Sequence, residues 1–439
     1  MQKQLTILGA GESGASAARL AQREGYAVFV SDAGKGDPRY LEELASAEID
    51  YETGGHTTDR ILTADEVVKS PGIPDTAPLI VALKQRGIPV ISEIEFASRY
   101  AAPEAKIVGI TGSNGKTTTT LLTQHILKQG GVRSLAGGNL GESFARLLLD
   151  HPPQEVYVLE LSSFQLDGID TFRPDIAAIL NITPDHLDRY DYSLEKYADS
   201  KLRIARNQHS DDHLILLLDP KTLVPALRRN KANAEVTTVD PVRHVDSTKF
   251  TVDGRQYDLS QTSLAGRHNA LNACFAVRIA QLLGVDDEQI NAALMSFTPA
   301  AHRMEIVPTD DGRRWINDSK ATNVDSTYYA LESMTTPTVW IAGGTDKGND
   351  YTALYDVIGK VHTLICLGLD NRKLVEAFTG RIEYVEENRS LESVILRAAE
   401  VADVGWTILL SPACASFDLF KNYEDRGDQF RKLVQNHFA

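Results

Sequence analysis

The chain has 439 residues, 42% of them apolar and 24% charged, enough for two to four domains with cores of their own. Its formal charge of −15 comes without any sustained Lys/Arg block, so neither nucleic acid nor an anionic membrane surface is expected as a partner. There is no apolar run of the roughly 18 residues that a membrane-spanning helix needs, and MQKQLTILGAGESG has no apolar leader core, so a cytoplasmic protein is expected.

In chain order, short β-branched runs alternate with helical patterns: LTILG, AVFVSD, VVKSPG, KIVGITG, VYVLEL, IAAILNIT, LILLLD, TVWIAGG, TLICLG and WTILLSP. Turn or cap residues follow each run, which predicts α/β architecture with mostly parallel, buried strands. Breaks at IPVISEIEFASRYAAPEAK and SFTPAAHRME divide the chain into residues 1–93, 94–298 and 299–439. Between about 235 and 262 the pattern alternates (VTTVD, KFTVDGRQYDLS) and predicts a small antiparallel insertion turning at Asp253-Gly254. Cys274, Cys366 and Cys414 are far apart and read as buried apolar residues rather than metal ligands or a disulfide framework.

The first chemical segment is GAGESG (9–14), which follows a strand and satisfies GxGxxG, with Asp32 ending the next strand. By itself it reads as a dinucleotide turn with Asp32 on a ribose, the basis of a dehydrogenase alternative. The second is KIVGITGSNGKTTTTLLTQHIL (106–127). Backbone amides from Gly112, Ser113, Asn114 and Gly115 through Lys116, Thr117 and Thr118 would cradle a triphosphate at a helix start. Lys116 would reach its β/γ oxygens and the Thr117 hydroxyl a Mg²⁺ ion. Ile110 stands where the strict phosphate-loop pattern has its first glycine.

Next, Glu160 ends the strand VYVLE and precedes Ser162, where an α/β sheet places ligand contacts; a hard carboxylate there suits Mg²⁺, though a solvated strand end is also open. In NITPDHLDRY (181–190) His186 is either functional or a plain helix-start residue. Taken blindly, Lys201 in SLEKYADSKLRIARN is an exposed helix lysine, and Asn269 and Asn272 share one face of a helix.

Together TGSNGKTT, GGNLG, ELSSFQL, NITPDHLDRY, SKLRI, GRHNALNA, HRME, NDSKATN, GGTDKG and LSPACASFD form an ordered series along the whole chain. The series resembles the signature blocks of the Mur ligases, the ATP-dependent amide-forming enzymes of peptidoglycan synthesis. WINDSKATN and LSPACASFD most resemble the D-glutamate-adding member. Other Mur ligases and folylpolyglutamate synthetase-like ligases are the competing readings.

The resemblance implies three domains: an N-terminal Rossmann-like domain for a UDP moiety, a central phosphate-loop ATPase domain and a C-terminal Rossmann-like domain for the amino acid. It implies the substrates UDP-N-acetylmuramoyl-L-alanine, D-glutamate and ATP, and a monomer. Ser13, Gly14, Asp32, Ser70, Gly72, Asn139, Ser162 and His186 would then face the nucleotide-sugar. Thr117 and Glu160 would hold one Mg²⁺, and His186 with Lys201 a second, Lys201 as a carbamate because an ammonium cannot ligate a cation. Asn269 and Asn272 would contact adenine; Arg303 would fork onto the γ-phosphate, with His302 orienting phosphates or substrate. Asp318 would position ribose or amine, and Lys320, Thr322, Lys347, Ser416 and Phe417 would hold the amino acid or transferred phosphate.

Overall fold

The computed structural model describes all residues except Met1, Ala265 and Lys347. Two compact units emerge: residues 1–262 with 269–297, and residues 263–268 with 298–439.

The first unit contains two parallel sheets. β1 (Gln4–Leu8), β2 (Ala27–Asp32), β3 (Asp50–Thr53), β4 (Glu66–Lys69) and β5 (Val90–Ile91) pair in the order β3-β2-β1-β4-β5. The helix Glu12–Arg23 lies on this sheet through a stripe of small residues, with Ala15, Ala17, Ala18 and Ala21 buried. Close approach is fixed at its first turn, where a Cβ on Gly14 would collide with the Gly9 carbonyl.

The second sheet comprises β6 (Lys106–Thr111), β7 (Ser134–Gly138), β8 (Val156–Glu160), β9 (Ile176–Ile179), β10 (His213–Leu217) and β11 (Glu235–Val239). They pair in the order β11-β10-β9-β6-β8-β7, all parallel. β8 and β9 are buried along their whole length, which explains their unbroken apolar runs. From β6 the chain runs to β7 and β8 on one side and then crosses to β9 on the other, so the crevice at the carboxyl end of β6 is a topological switch point.

The predicted insertion begins later than expected. VTTVD is not part of it: Glu235–Val239 pairs in parallel with β10, because its alternation suits a sheet edge as well as a hairpin. The antiparallel part is β12 (Val245–Asp246), β13 (Lys249–Val252) and β14 (Arg255–Asp258). Asp253 and Gly254 do form its tight turn, both with positive φ (48° and 79°).

The second unit has one sheet of β15 (Glu305–Val307), β16 (Arg314–Asn317), β17 (Thr338–Ala342), β18 (Val361–Leu367), β19 (Tyr384–Asn388) and β20 (Thr407–Leu410). The order is β15-β16-β20-β17-β18-β19, antiparallel only at β15–β16. Its switch point lies at β20, between β16 and β17. Trp315 and Trp340 fill the two faces of this sheet, with Trp340 Nε1 donating to Ser411 O at 2.8 Å. All three cysteines are buried, as the sequence implied. Among the described residues no helix is long and apolar enough to cross a membrane.

Candidate active site

At the carboxyl end of β6 the chain turns through Gly112 (φ 153°) and Gly115 (φ 85°), conformations that favour glycine, and enters the helix Lys116–Gln129. A Cβ on Gly115 would strike Asn272 Oδ1, so the helix Arg267–Leu282 seats Asn272 directly on this turn. Asn269 lies one turn earlier, and Asn272 Nδ2 donates to its Oδ1 at 3.5 Å. Lys116 Nζ donates to the carbonyls of Gly112 (2.8 Å) and Ser113 (2.9 Å), folding over its own loop. The segment after β9 ties this loop down: Ser113 N donates to Asn181 O, Ser113 Oγ to Thr183 O, and Thr183 N to Ser113 Oγ, each at 2.9 Å. Asn181 and Thr183 brace this loop, which residue-type reasoning missed; the signal was a polar pair directly after an apolar strand.

β8 places Glu160 beside the loop, 3% exposed. Its Oε2 accepts from the Thr117 hydroxyl at 2.7 Å and its Oε1 from Asn139 Nδ2 at 3.1 Å. The solvated strand-end reading of Glu160 is thereby overturned. Ser162 caps the helix Ser163–Asp167 in a reciprocal box with Gln165, so its hydroxyl is engaged locally.

His186 sits with φ 51° before the turn Leu187–Tyr190, its Nε2 at 3.7 Å from Asp185 Oδ2 and its ring edge-on to Phe164. Arg189 covers Phe164, 4.4 Å above the ring, and reaches the carbonyls of Gly72 and Pro71 in the first sheet's SPGI loop. Lys201 is also not the exposed helix lysine of the blind reading. It is 1% exposed on the helix Leu194–Leu202, with Nζ 3.5 Å from Thr111 Oγ1 and over the Tyr197 ring. Burial, then the nearby Lys116 charge, push its pKa well below the ordinary lysine value.

In the first sheet, Asp32 accepts from Ala10 N (2.6 Å) with one carboxylate oxygen and from Gly34 N (2.7 Å) with the other. It stabilises the glycine turn itself. Ser70 packs under Gly9, where any Cβ would overlap its hydroxyl, so the 9–14 and 70–73 loops are in contact; Gly14 is buried, Ser13 half-buried and Gly72 exposed.

In the second unit, Asp318 follows β16 and is buried, accepting from Ser411 Oγ (2.9 Å) and Met304 N (3.2 Å). Burial raises its pKa to about 7. His302 precedes Arg303 and is buried too; it packs on Gly427, contacts Asn317 Nδ2 at 3.0 Å and lies 3.6 Å from Glu305. Burial lowers its pKa. Lys320 Nζ stands 5.2 Å over the Tyr423 ring, and Thr322 N donates to Lys320 O. Ser416 is buried, whereas Phe417 is 72% exposed beside it. Lys347 lies outside the described residues. Tyr423 and Arg426, inside a polar helical stretch, gave no signal in the sequence.

A glycine-turned phosphate seat, with hard oxygen donors beside it at a switch point, defines an ATP-dependent enzyme of the phosphate-loop class. Three family profiles cover most of the chain: "Mur ligase MurD-like, N-terminal domain" at residues 3–92, "Mur ligase middle domain" at 110–280 and "Mur ligase, glutamate ligase domain" at 302–414. The chain belongs to the Mur ligase family.

It is 48% identical, over 99% of its length and all of the relative's, to the UDP-N-acetylmuramoylalanine–D-glutamate ligase of Christiangramia forsetii. The enzyme of the same name from Porphyromonas gingivalis is 47% identical over 98% of each chain. Among solved structures, MurF of Acinetobacter baumannii superimposes with TM-score 0.63 at 15% identity, covering 97% of this chain and 93% of that one. MurC of Thermotoga maritima gives 0.61 at 18% identity over 99% of both. These structures share the fold.

Proposed function

We propose that this chain joins D-glutamate to UDP-N-acetylmuramoyl-L-alanine, driven by ATP, in peptidoglycan precursor synthesis. The observation that carries the reading is the end-to-end identity of 45–48% with enzymes named for that reaction. A dehydrogenase would leave the glycine-turned seat at 112–117 without a use.

A free carboxylate is a poor acylating group, so the substrate carboxylate attacks the γ-phosphorus of ATP, releasing ADP and forming an acyl phosphate. The amine then attacks the acyl carbon and phosphate leaves. Two anions must meet in the first step, and Lys116, once it turns from its own carbonyls to the triphosphate, offsets their repulsion. The donors around the loop suit Mg²⁺: the Thr117 hydroxyl and Glu160 are hard oxygens already 2.7 Å apart. Mg²⁺ bound there would neutralise the approaching charges.

A second Mg²⁺ would take His186 and Lys201. Its donor set fits if the Lys201 amine adds CO₂ and loses a proton to become a carbamate, which a buried amine of lowered pKa favours. Asn269 and Asn272 hold the adenine; Ser13, Gly14, Asp32, Ser70, Gly72, Asn139 and Ser162 line the path of the nucleotide-sugar. Arg303 would fork onto the γ-phosphate and His302 would orient the phosphates or substrate. Asp318 would position the ATP ribose or the incoming amine. Lys320, Thr322, Lys347, Ser416 and Phe417 hold the amino acid. Boundaries at 93/94 and 298/299, a monomer, and a cytoplasmic location where ATP and the nucleotide-sugar are made complete the proposal.

Phosphate release from ATP and UDP-N-acetylmuramoyl-L-alanine, screened against D-Glu, L-Glu, L-Ala and diaminopimelate, tests the reading. Strict D-Glu dependence is expected; turnover with another amino acid alone refutes it. Stripping CO₂ should depress the rate and bicarbonate restore it; a rate indifferent to both removes the carbamate.

A further inference from the structure

Arg426 is 1% exposed, the largest charged side chain buried in the second unit. It lies on the helix Tyr423–Phe438 and reaches under the switch point of the last sheet. Its Nε donates to Ser319 Oγ (2.9 Å) and Nη2 to Ser319 O (2.8 Å). Nη1 reaches Gly343 O and Nη1 and Nη2 both reach Cys414 O, each at 3.4 Å. These oxygens belong to the loops leaving β16, β17 and β20, the three adjacent strands around the switch. Each loop carries residues assigned above to the amino acid: Lys320 beside Ser319, Lys347 beyond Gly343, Ser416 beyond Cys414.

All five of these bonds end on neutral oxygens. Among the described residues Arg426 makes no ion pair. A guanidinium taken out of water normally requires a carboxylate partner, since carbonyl dipoles solvate its charge without cancelling it. The facing acids, Asp318 and Asp418, act on it only at longer range. No carboxylate in contact cancels the guanidinium charge, which lies beneath the crevice where a parallel sheet binds its ligand.

We propose that Arg426 is a positioning residue for the amino-acid substrate: its fork registers the three loops and its unneutralised charge makes the site select an acid with a second carboxylate. The inference rests on the D-glutamate reading above. In steady-state phosphate release with the full-length protein, Arg426→Gln, which removes the charge and keeps donors, should raise the D-Glu KM at least tenfold. The KM values for ATP and UDP-N-acetylmuramoyl-L-alanine should stay within twofold. Arg426→Lys, which keeps the charge, should raise the D-Glu KM less than Arg426→Gln and preserve the wild-type preference for D-Glu over D-Gln.

Equal rises for Gln and Lys, or an unchanged D-Glu KM in Arg426→Gln, would overturn the charge role. If Arg426→Gln shows no cooperative melt, Arg426→Lys decides by itself. A D-Glu KM raised by itself, with the D-Glu preference kept, supports the proposal; three KM values rising together refute it. Wild-type protein inactive with D-Glu would refute the underlying reading instead, so the two failures are distinguishable.

Discussion

Asn114 and Asn181 hold each other reciprocally: the Asn114 N–H donates to Asn181 Oδ1 at 2.8 Å, and Asn181 Nδ2 donates back to the Asn114 carbonyl at 3.0 Å. One side chain thus fixes both backbone polar groups of Asn114 in the phosphate loop, from the segment after the neighbouring strand. Replacing Asn181 by Asp keeps the acceptor and loses the donor, and places a second negative charge beside the triphosphate seat. Asn181→Asp should raise the KM for ATP at least tenfold, whereas Asn181→Ala should raise it less and lower stability by about 1–3 kcal/mol. Steady-state kinetics with thermal melts would separate these outcomes; an Asp variant that binds ATP normally contradicts the account.

Glu160 and Thr117 make a specific prediction about metal dependence. Glu160→Gln retains size and one acceptor but not the charge a divalent cation needs. The Mg²⁺ concentration for half-maximal rate should rise at least tenfold, with the melting temperature within a few degrees of wild type. A Mg²⁺ titration superimposable on that of the wild type would exclude this carboxylate as a ligand. Chelation of Mg²⁺ should abolish phosphate release in both proteins.

Arg189 joins the His186 segment to the loop 70–73 through its stack on Phe164 and its bonds to Pro71 and Gly72. Arg189→Ala should raise the KM for the nucleotide-sugar five- to tenfold, about 1–1.4 kcal/mol. Arg189→Lys should fall between Arg189→Ala and wild type, since a lysine cannot bridge two carbonyls as a planar fork. An unaltered nucleotide-sugar KM in Arg189→Ala would show that the bridge does not matter to binding.

Glu93 gives the pH dependence. It is fully buried, one oxygen accepts from Ala145 N at 2.5 Å, and the other has no partner. Burial pushes its pKa up to about 8. Between the ordinary carboxylate range and pH 8 the folded chain therefore holds a proton that the unfolded chain has released. The Glu93 contribution to folding stability therefore falls as pH rises across that window, by up to ~1.4 kcal/mol per pH unit. Glu93→Gln lacks this slope, so it should gain on wild type as pH rises from 5 to 8 and converge with it below pH 4.5. Melting curves with parallel pH dependence for the two proteins would show that Glu93 is ionised in place.

The strand runs and the phosphate loop were legible because both are local patterns: period, β-branching, and glycines at positive φ. VTTVD was misassigned for the same reason, since an alternating edge strand and a hairpin strand look alike until pairing is known. Burial of Lys201 was illegible, because helix position does not say which face meets Thr111 and Tyr197. Arg426 was hidden more deeply. Its partners are backbone carbonyls from three distant loops, and main-chain acceptors leave no trace in residue identity.

The chain leaves the first unit after Thr262 and returns to it at Asn269. Asn272, which covers Gly115, is therefore added by the returning helix, long after the loop it covers has left the ribosome. A nascent chain of 262 residues already carries every strand of the first unit, but its ATP seat lacks that cover. The enzyme's order of synthesis thus delays completion of its nucleotide pocket until the helix after Gly266 has been made.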